Sequence, residues 1–233
     1  MKFRLLCFGS HLFVSFVIAL LSVCLVFWLW YPSPLDKALG VANIFLLLLC
    51  IDVIVGPLLT LIVAKQGKKT LKIDLLTIGV LQLAALVYGL YIVAQGRPVW
   101  VVYDSGRFEV VQAYEAVADS ANLSQDSFRL GFVGPVWASV VDSIPTSIGR
   151  GEAYYQSAFL QIYDAGVAAR VASSAISLDV LKRFNKPEIV VSILSKHPEA
   201  NAFVPLAAKE KALSVLVNKD SGQPIAIVNL SPW

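Results

Sequence analysis

Cysteine is missing from residues 97–233, and the three that the chain has, Cys7, Cys24 and Cys50, lie in or beside apolar runs. A disulfide framework or a thiolate zinc site is therefore excluded from the second half. Histidine is almost as scarce. His11 and His197 are far apart in sequence, so metal chemistry would rest on carboxylates, and none of these cluster at ligand spacing. Charged residues make up 15% of the chain against 57% apolar, where a soluble domain carries about 25% charged. No basic patch is interleaved with aromatics, which removes nucleic acid as a partner. A Gly-x-Ser-x-Gly elbow is absent too, and His197, between Lys196 and Pro198, reads as a solvated helix end. Gly131-Phe132-Val133-Gly134 lacks the lysine and helix of a phosphate loop and reads as a turn into a strand beginning at Pro135. Carboxylate pairs such as Glu109 and Glu115 read as solvated surface. With neither a nucleophile–base pair nor a metal set, the sequence predicts a non-enzymatic protein without a cofactor.

What is present is apolar sequence in long runs. Lys2 and Arg4 precede a run from Ser10 to Tyr31, a second runs from Ala42 to Ala64, and a third from Ile73 to Ala94. At about 1.5 Å per residue each is long enough to cross a hydrocarbon core of roughly 30 Å. A cleaved signal peptide is the rival reading of the first run. Its end, Phe27-Trp28-Leu29-Trp30-Tyr31, is bulky where a peptidase needs small residues and suits an interfacial aromatic belt. Leu21-Ser22-Val23-Cys24 only faintly resembles a lipoprotein cleavage box, because Val23 is large and the run continues past it. Pro32-Ser33-Pro34-Leu35-Asp36-Lys37 reads as a short polar turn between the first two spans.

Of nineteen Lys/Arg, seven fall before residue 97 (Lys2, Arg4, Lys37, Lys65, Lys68, Lys69 and Lys72), against Asp36, Asp52 and Asp74. Residues 97–233 hold the other twelve basic and thirteen acidic residues. The overall charge of +3 is thus a topology signal: basic residues flank the amino terminus and the turn between spans two and three. The positive-inside rule places both in the cytoplasm and everything after Gln95 outside, which in a Gram-negative cell is the periplasm.

Asp52 stands near the middle of the second run, with Gly56-Pro57 one turn later. A charged side chain there costs about 2.5–3.5 kcal/mol on insertion scales, so Asp52 is expected to face protein or to be neutral. In antiparallel spans Asp52 lies roughly 18 Å from the cytoplasmic end, with Gln82 within about two turns of that depth. Three readings stand: an internal Asp52–Gln82 hydrogen bond that fixes packing, acceptance from a polar or cationic group on another protein's membrane helix, or a proton or ion pathway. Gly56-Pro57 is either a packing kink or a kink that opens a groove for a visiting helix. Asp74, near Lys72, reads as an end-of-helix charge.

Residues 97–233 are long enough for a core of their own. Val99–Tyr103, the turn Asp104-Ser105-Gly106 and Arg107–Val111 read as a hairpin with alternating faces. Tyr114–Ala121 reads as a short helix, Pro135–Val141 as a strand, and Ala158–Asp164 as a strand or a helix. Leu178–Phe184 and Pro187–Ser195 read as helices, the latter with proline in its first turn. Leu213–Val217, the turn Asn218–Gly222 and Ile225–Leu230 read as a second hairpin. Together these predict a membrane protein with three transmembrane α-helices, residues 1–96, followed by a small α+β extracytoplasmic domain, residues 97–233, with a mostly antiparallel sheet.

The run Asp52-Val53-Ile54-Val55-Gly56-Pro57-Leu58-Leu59-Thr60-Leu61 carries a family likeness. So do Gly67-Lys68-Lys69-Thr70-Leu71-Lys72-Ile73-Asp74-Leu75, Arg97-Pro98, Arg107-Phe108-Glu109-Val110 and Pro232-Trp233. In these the chain resembles the type IV pilin accessory proteins, often labelled TfpX/TfpZ. The resemblance is spread over most of the sequence, with Gly151–Ala175 more divergent. It implies an inner-membrane protein that acts with a cognate type IV pilin, and with other pilus assembly proteins, to promote assembly or surface display, with no catalytic site to transfer. The residues that match and are expected to serve partner binding are Asp52, Gly56, Pro57, Arg97, Arg107 and Phe108, and Gln82 joins them by its depth. The expected contacts are the pilin's membrane helix, its periplasmic head and the surrounding bilayer. The alternative from another class is a membrane sensor or transport subunit whose outer domain binds a small ligand in a deep pocket.

Overall fold

The computed structural model describes residues 1–117, 133–145 and 147–233. Three long helices come first: α1 (Lys2–Cys24, prolonged by a π-helical turn Leu25–Trp30), α3 (Val41–Val63) and α4 (Leu71–Gln95), with the one-turn α2 (Leu35–Ala38) between the first two. All three long helices are long and apolar enough to cross a membrane. Met1–Trp30 and Val41–Gly96 form one compact unit; Tyr31–Gly40 and Arg97–Trp233 form the other.

The helical unit is built inside out. Many of its large apolar side chains point outward, Phe13 at 68% exposure, Leu47 at 62% and Ile62 at 67%, while Ser15, Ser22, Gly56 and Thr60 are buried at the helix contacts along with Phe45, Leu49 and Leu86. In water this arrangement would waste its apolar surface; in lipid, small and polar residues at helix contacts are what allow close packing. At Gly89 an added β-carbon would stand 2.3 Å from Leu48, so α3 and α4 touch where a side chain is absent. Pro57 sits inside α3 and removes the donor that the Val53 carbonyl would use. Asp74 in the first turn of α4 pairs with Lys68 at 2.8 Å and accepts from Thr70 at 3.0 Å, an end-of-helix charge as the sequence suggested.

The second unit is built on an eight-stranded sheet. Its strands are β1 (Pro98–Asp104), β2 (Arg107–Gln112), β3 (Val136–Val140), β4 (Leu160–Ile162), β5 (Ile176–Ser177), β6 (Ala202–Ala207), β7 (Leu213–Val217) and β8 (Pro224–Val228). The order is β4-β3-β1-β2-β6-β7-β8, with β5 paired to β6. Both expected hairpins form. Ser105 and Gly106 adopt φ of 49° and 87°, the two left-handed residues that a tight hairpin turn requires.

The expectation of a mostly antiparallel sheet is corrected: the sheet is mixed. β1 runs parallel to β3 and β2 runs parallel to β6, so the first hairpin is flanked on both sides by parallel neighbours. Local alternation reveals hairpins, whereas these pairings depend on distant crossovers. Nor do the faces of β1 alternate, since every residue of it is buried, as befits a central strand covered on both sides.

Other helices are α5 (Arg150–Ala153), α6 (Ala165–Ser174), α7 (Leu181–Phe184) and α8 (Pro187–Leu194). Ala158–Asp164 resolves into a helical turn and the strand β4. No helix forms at Tyr114–Val117: a turn is followed by a bridge from Val117 to Gln156. Residues 118–121 of that expected helix, and Gly131 and Phe132 of the expected glycine turn, lie outside the described residues. Among the described residues the core includes an apolar cluster around Trp100, Val102, Val140 and Leu160 and another around Leu181, Phe203, Leu216 and Leu230.

The segment between the first two long helices is more than a polar turn. Tyr31, Leu35 and Ala38 are buried, and the Glu210 amide donates to the Ala38 carbonyl at 2.9 Å. Asp36 and Lys37 stand together between the buried Leu35 and Ala38, a pattern short enough to pass for a loop.

Candidate functional site

Polar residues in a lipid-compatible bundle attract attention, and here they converge. On α3, Asp52, Gly56 and Thr60 recur every four residues and so share a face. On α1, His11 and Ser15 do the same, and α4 contributes Gln82. The Gln82 side-chain amide is the hub. Its Nε2 donates to the Asp52 backbone carbonyl at 2.8 Å and to Ser15 Oγ at 3.0 Å, and its Oε1 lies 2.9 Å from His11 Nε2. His11 Nδ1 is 2.6 Å from Thr60 Oγ1.

The chemistry of the partners orients the chain of bonds. A backbone carbonyl can only accept, so the amide nitrogen of Gln82 must face Asp52 and its oxygen must face His11. His11 Nε2–H therefore donates to Gln82, and Nδ1 is paired with the Thr60 hydroxyl. Gly56 makes room for this hub: a β-carbon there would stand 1.9 Å from Gln82 Oε1.

The network leaves out the Asp52 carboxylate. Among the described residues it accepts no hydrogen bond, and it lines a cavity of about 210 Å³ with His11, Ser15, Gln82, Leu49 and Leu86. A second cavity of about 320 Å³, lined by Cys7, Ser10, His11, Thr60, Leu75 and Gly79, continues along α1 and α4. The Asp52–Gln82 bond anticipated from depth exists, but it runs to the backbone of Asp52. His11, Ser15 and Thr60 were not singled out from sequence. The signal was the spacing of four that puts His11 with Ser15 on one face of the first run and Asp52, Gly56 and Thr60 on one face of the second.

The other expected residues belong to the second unit and do not gather there. Phe108 is fully buried, edge-on to Tyr103 at 5.3 Å and to Trp137 at 5.2 Å, so it is a core residue. Arg107 is half-exposed at the hairpin, 3.8 Å from Glu109. Burial pushes the Glu109 carboxyl up, with Arg107 opposing and Glu115 adding to the rise. Arg97 lies near Tyr31; burial lowers the guanidinium's affinity for its proton, while Tyr31 acts the other way. Burial likewise holds the Tyr31 hydroxyl well above its ordinary range.

A polar cavity of about 230 Å³ also opens in this unit between Tyr103, Asp104, Ser139, Asp142 and Arg170. Arg170 pairs there with Asp142 and donates to Ser139 at 3.1 Å, and Tyr154 donates to Asp104 at 3.0 Å. Among the described residues no group of three His, Cys, Asp or Glu side chains could hold a metal.

Comparison with known proteins adds the following. The family described as fimbrial assembly protein FimB matches residues 1–40. The fimbrial assembly protein of serogroup E1 from Dichelobacter nodosus is 36% identical over 123 residues, 52% of this chain and 48% of the relative. That of serogroup I is equally similar. The fimbrial assembly protein of serogroups C1 and C2 from the same organism is 35% identical over 113 residues, 48% of this chain and 86% of the relative. The chain thus spans about half the length of the first two relatives and most of the third. No solved structure matches.

Proposed function

Because the chain belongs to the fimbrial assembly protein family, we propose that it is a non-enzymatic membrane accessory of pilus assembly that engages a type IV pilin before the subunit enters the fibre. The observation that carries this reading is the bundle with an acid left out of its hydrogen-bond network and facing a cavity between the helices, joined to a separate folded unit. A pilin waiting for assembly is held in the inner membrane by an apolar helix, with its head outside. In this reading the bundle packs against that helix and residues 97–233 meet the head.

The charge asymmetry supports an amino terminus in the cytoplasm and a second unit in the periplasm. Packing of Tyr31–Gly40 with the residues after Arg97 agrees with both emerging on one side. Of the partner residues, Asp52 supplies the acceptor, Gly56, Pro57 and Gln82 hold the shape around it, and Arg107 offers an exposed charge to the head. Phe108 and Arg97 act through the fold of the outer unit.

Piliation and twitching in a deletion strain, complemented with wild type or with Asp52→Asn, test the proposal. Loss of surface pili at normal pilin levels supports it; normal piliation in the deletion strain overturns it.

A second reading, a sensor or transport subunit with a ligand-binding outer domain, draws on the polar cavity around Arg170. That cavity is smaller than the roughly 300–1,000 Å³ usual for small-molecule sites, and Asp142 and Ser139 already engage its arginine. Ligand-dependent thermal stabilisation of the outer unit would favour it.

A further inference from the structure

The pair of cavities in the bundle has a shape that says what fits it. α3 packs along both α1 and α4, while α1 and α4 meet through the bonds from Gln82 to His11 and Ser15. On one side of this bridge lies the Asp52 cavity, and on the other the cavity between Cys7, Ser10, Leu75 and Gly79. The two form a groove along α1 and α4, within helices that are long and apolar enough to cross a membrane. At Gly79 a β-carbon would meet nothing within 4 Å, so a second backbone can come close there.

We propose that this groove seats one transmembrane helix of the client, and that a side chain of that helix enters the Asp52 cavity to donate a hydrogen bond or place a positive charge on the carboxylate. The inference deepens the function proposed above and rests on it for the identity of the client. Three observations choose the occupant. Gln82 has spent both amide hydrogens, on Ser15 and Asp52, and His11 has committed both ring nitrogens. Of the network's donors only the Ser15 hydroxyl hydrogen is left uncommitted, and among the described residues it makes no bond to the Asp52 carboxylate. A carboxylate at that depth calls for a donor or a cation, which a lipid acyl chain lacks and a helix side chain can supply. Finally, a cavity of about 210 Å³ takes one side chain rather than a whole metabolite.

The full-length protein, reconstituted in liposomes, is mixed with a synthetic 24-residue leucine-rich helix bearing either lysine or leucine at its centre, and association is read by energy transfer. The wild type is expected to bind the lysine helix at least tenfold more tightly than the leucine helix, and Asp52→Asn to lose that difference. A photoreactive residue at Gly79 or Val14 should capture the lysine helix, whereas one at Ile62, on the outward face, should not. Equal binding of the two helices by the wild type overturns the proposal, as does an undiminished preference in Asp52→Asn or capture from Ile62 alone. The capture arm keeps the test decisive if the Asp52 variant fails to fold. A lysine helix that binds while no pilin is trapped in cells removes the pilin and keeps the groove; pilin trapped only through the outer unit does the reverse.

Discussion

Gly56 and Gln82 are fitted to each other: a β-carbon on the glycine would fall 1.9 Å from the glutamine's Oε1 and 2.5 Å from its Cδ. The smallest residue on α3 is what lets the Gln82 side chain of α4 reach Ser15 and the Asp52 carbonyl.

Gly56→Ala is therefore expected to expel Gln82 and cost about 1–3 kcal/mol, the range for overpacking a tight interface. Unfolding in mixed micelles by denaturing detergent measures it. Combining the substitution with Gln82→Ala should cost less than the sum of the two, because the clash disappears with the side chain.

His11 and Gln82 should be energetically coupled. A double-mutant cycle with His11→Leu and Gln82→Leu is expected to give about 0.6–1.7 kcal/mol, the span seen for hydrogen bonds between membrane helices. A coupling of zero would mean that the bond across α1 and α4 does not hold the bundle.

Gly222 and Gly40 both adopt left-handed backbone, φ of 69° and 70°, but they meet different neighbours. A β-carbon at Gly222 would stand 1.9 Å from the backbone oxygen of Ala168 in α6; at Gly40 the nearest atom is Cγ of the flexible Glu210, at 2.9 Å. Both alanine substitutions carry the left-handed penalty of about 1–3 kcal/mol. Gly222→Ala alone must also move a helix backbone, so it should be the more destabilising of the two, read by limited proteolysis of the outer unit.

The first half of this architecture was legible because its signals are local. Twenty-odd apolar residues define each long helix, and Asp104-Ser105-Gly106 and Asn218–Gly222 define the hairpin turns. What escaped depends on contacts between distant residues. Nothing near β1 announces that it lies parallel to β3, and nothing in Ala202–Ala207 separates a central strand from a loop until β2 and β7 flank it. Phe108 looked like a partner residue because it sits in a matching motif, yet the motif marks a core position. His11 passed as an isolated histidine, since only the packing of α1 against α3 and α4 brings it to Thr60 and Gln82.

Glu109 gives a pH signature. Burial raises its folded-state pKa above the ordinary value near 4.5, so the folded protein binds more protons than the unfolded chain in the window just above that value. Stability from this group accordingly falls as pH rises through the window and stays lower beyond it. Glu109→Gln should match the wild type in acid and exceed it near neutrality. Thermal unfolding across that pH range checks the sign.

The claim that a membrane-held pilin sits against this bundle is tested most directly in living cells. Photoreactive residues are placed at Val53 and Gly79 in the bundle and at Arg107 in the outer unit, and the captured partner is identified by mass. The account predicts pilin as the adduct from the bundle and from Arg107, with the bundle adduct lost in Asp52→Asn. Pilin absent from every position, in cells that still make it, would contradict the account.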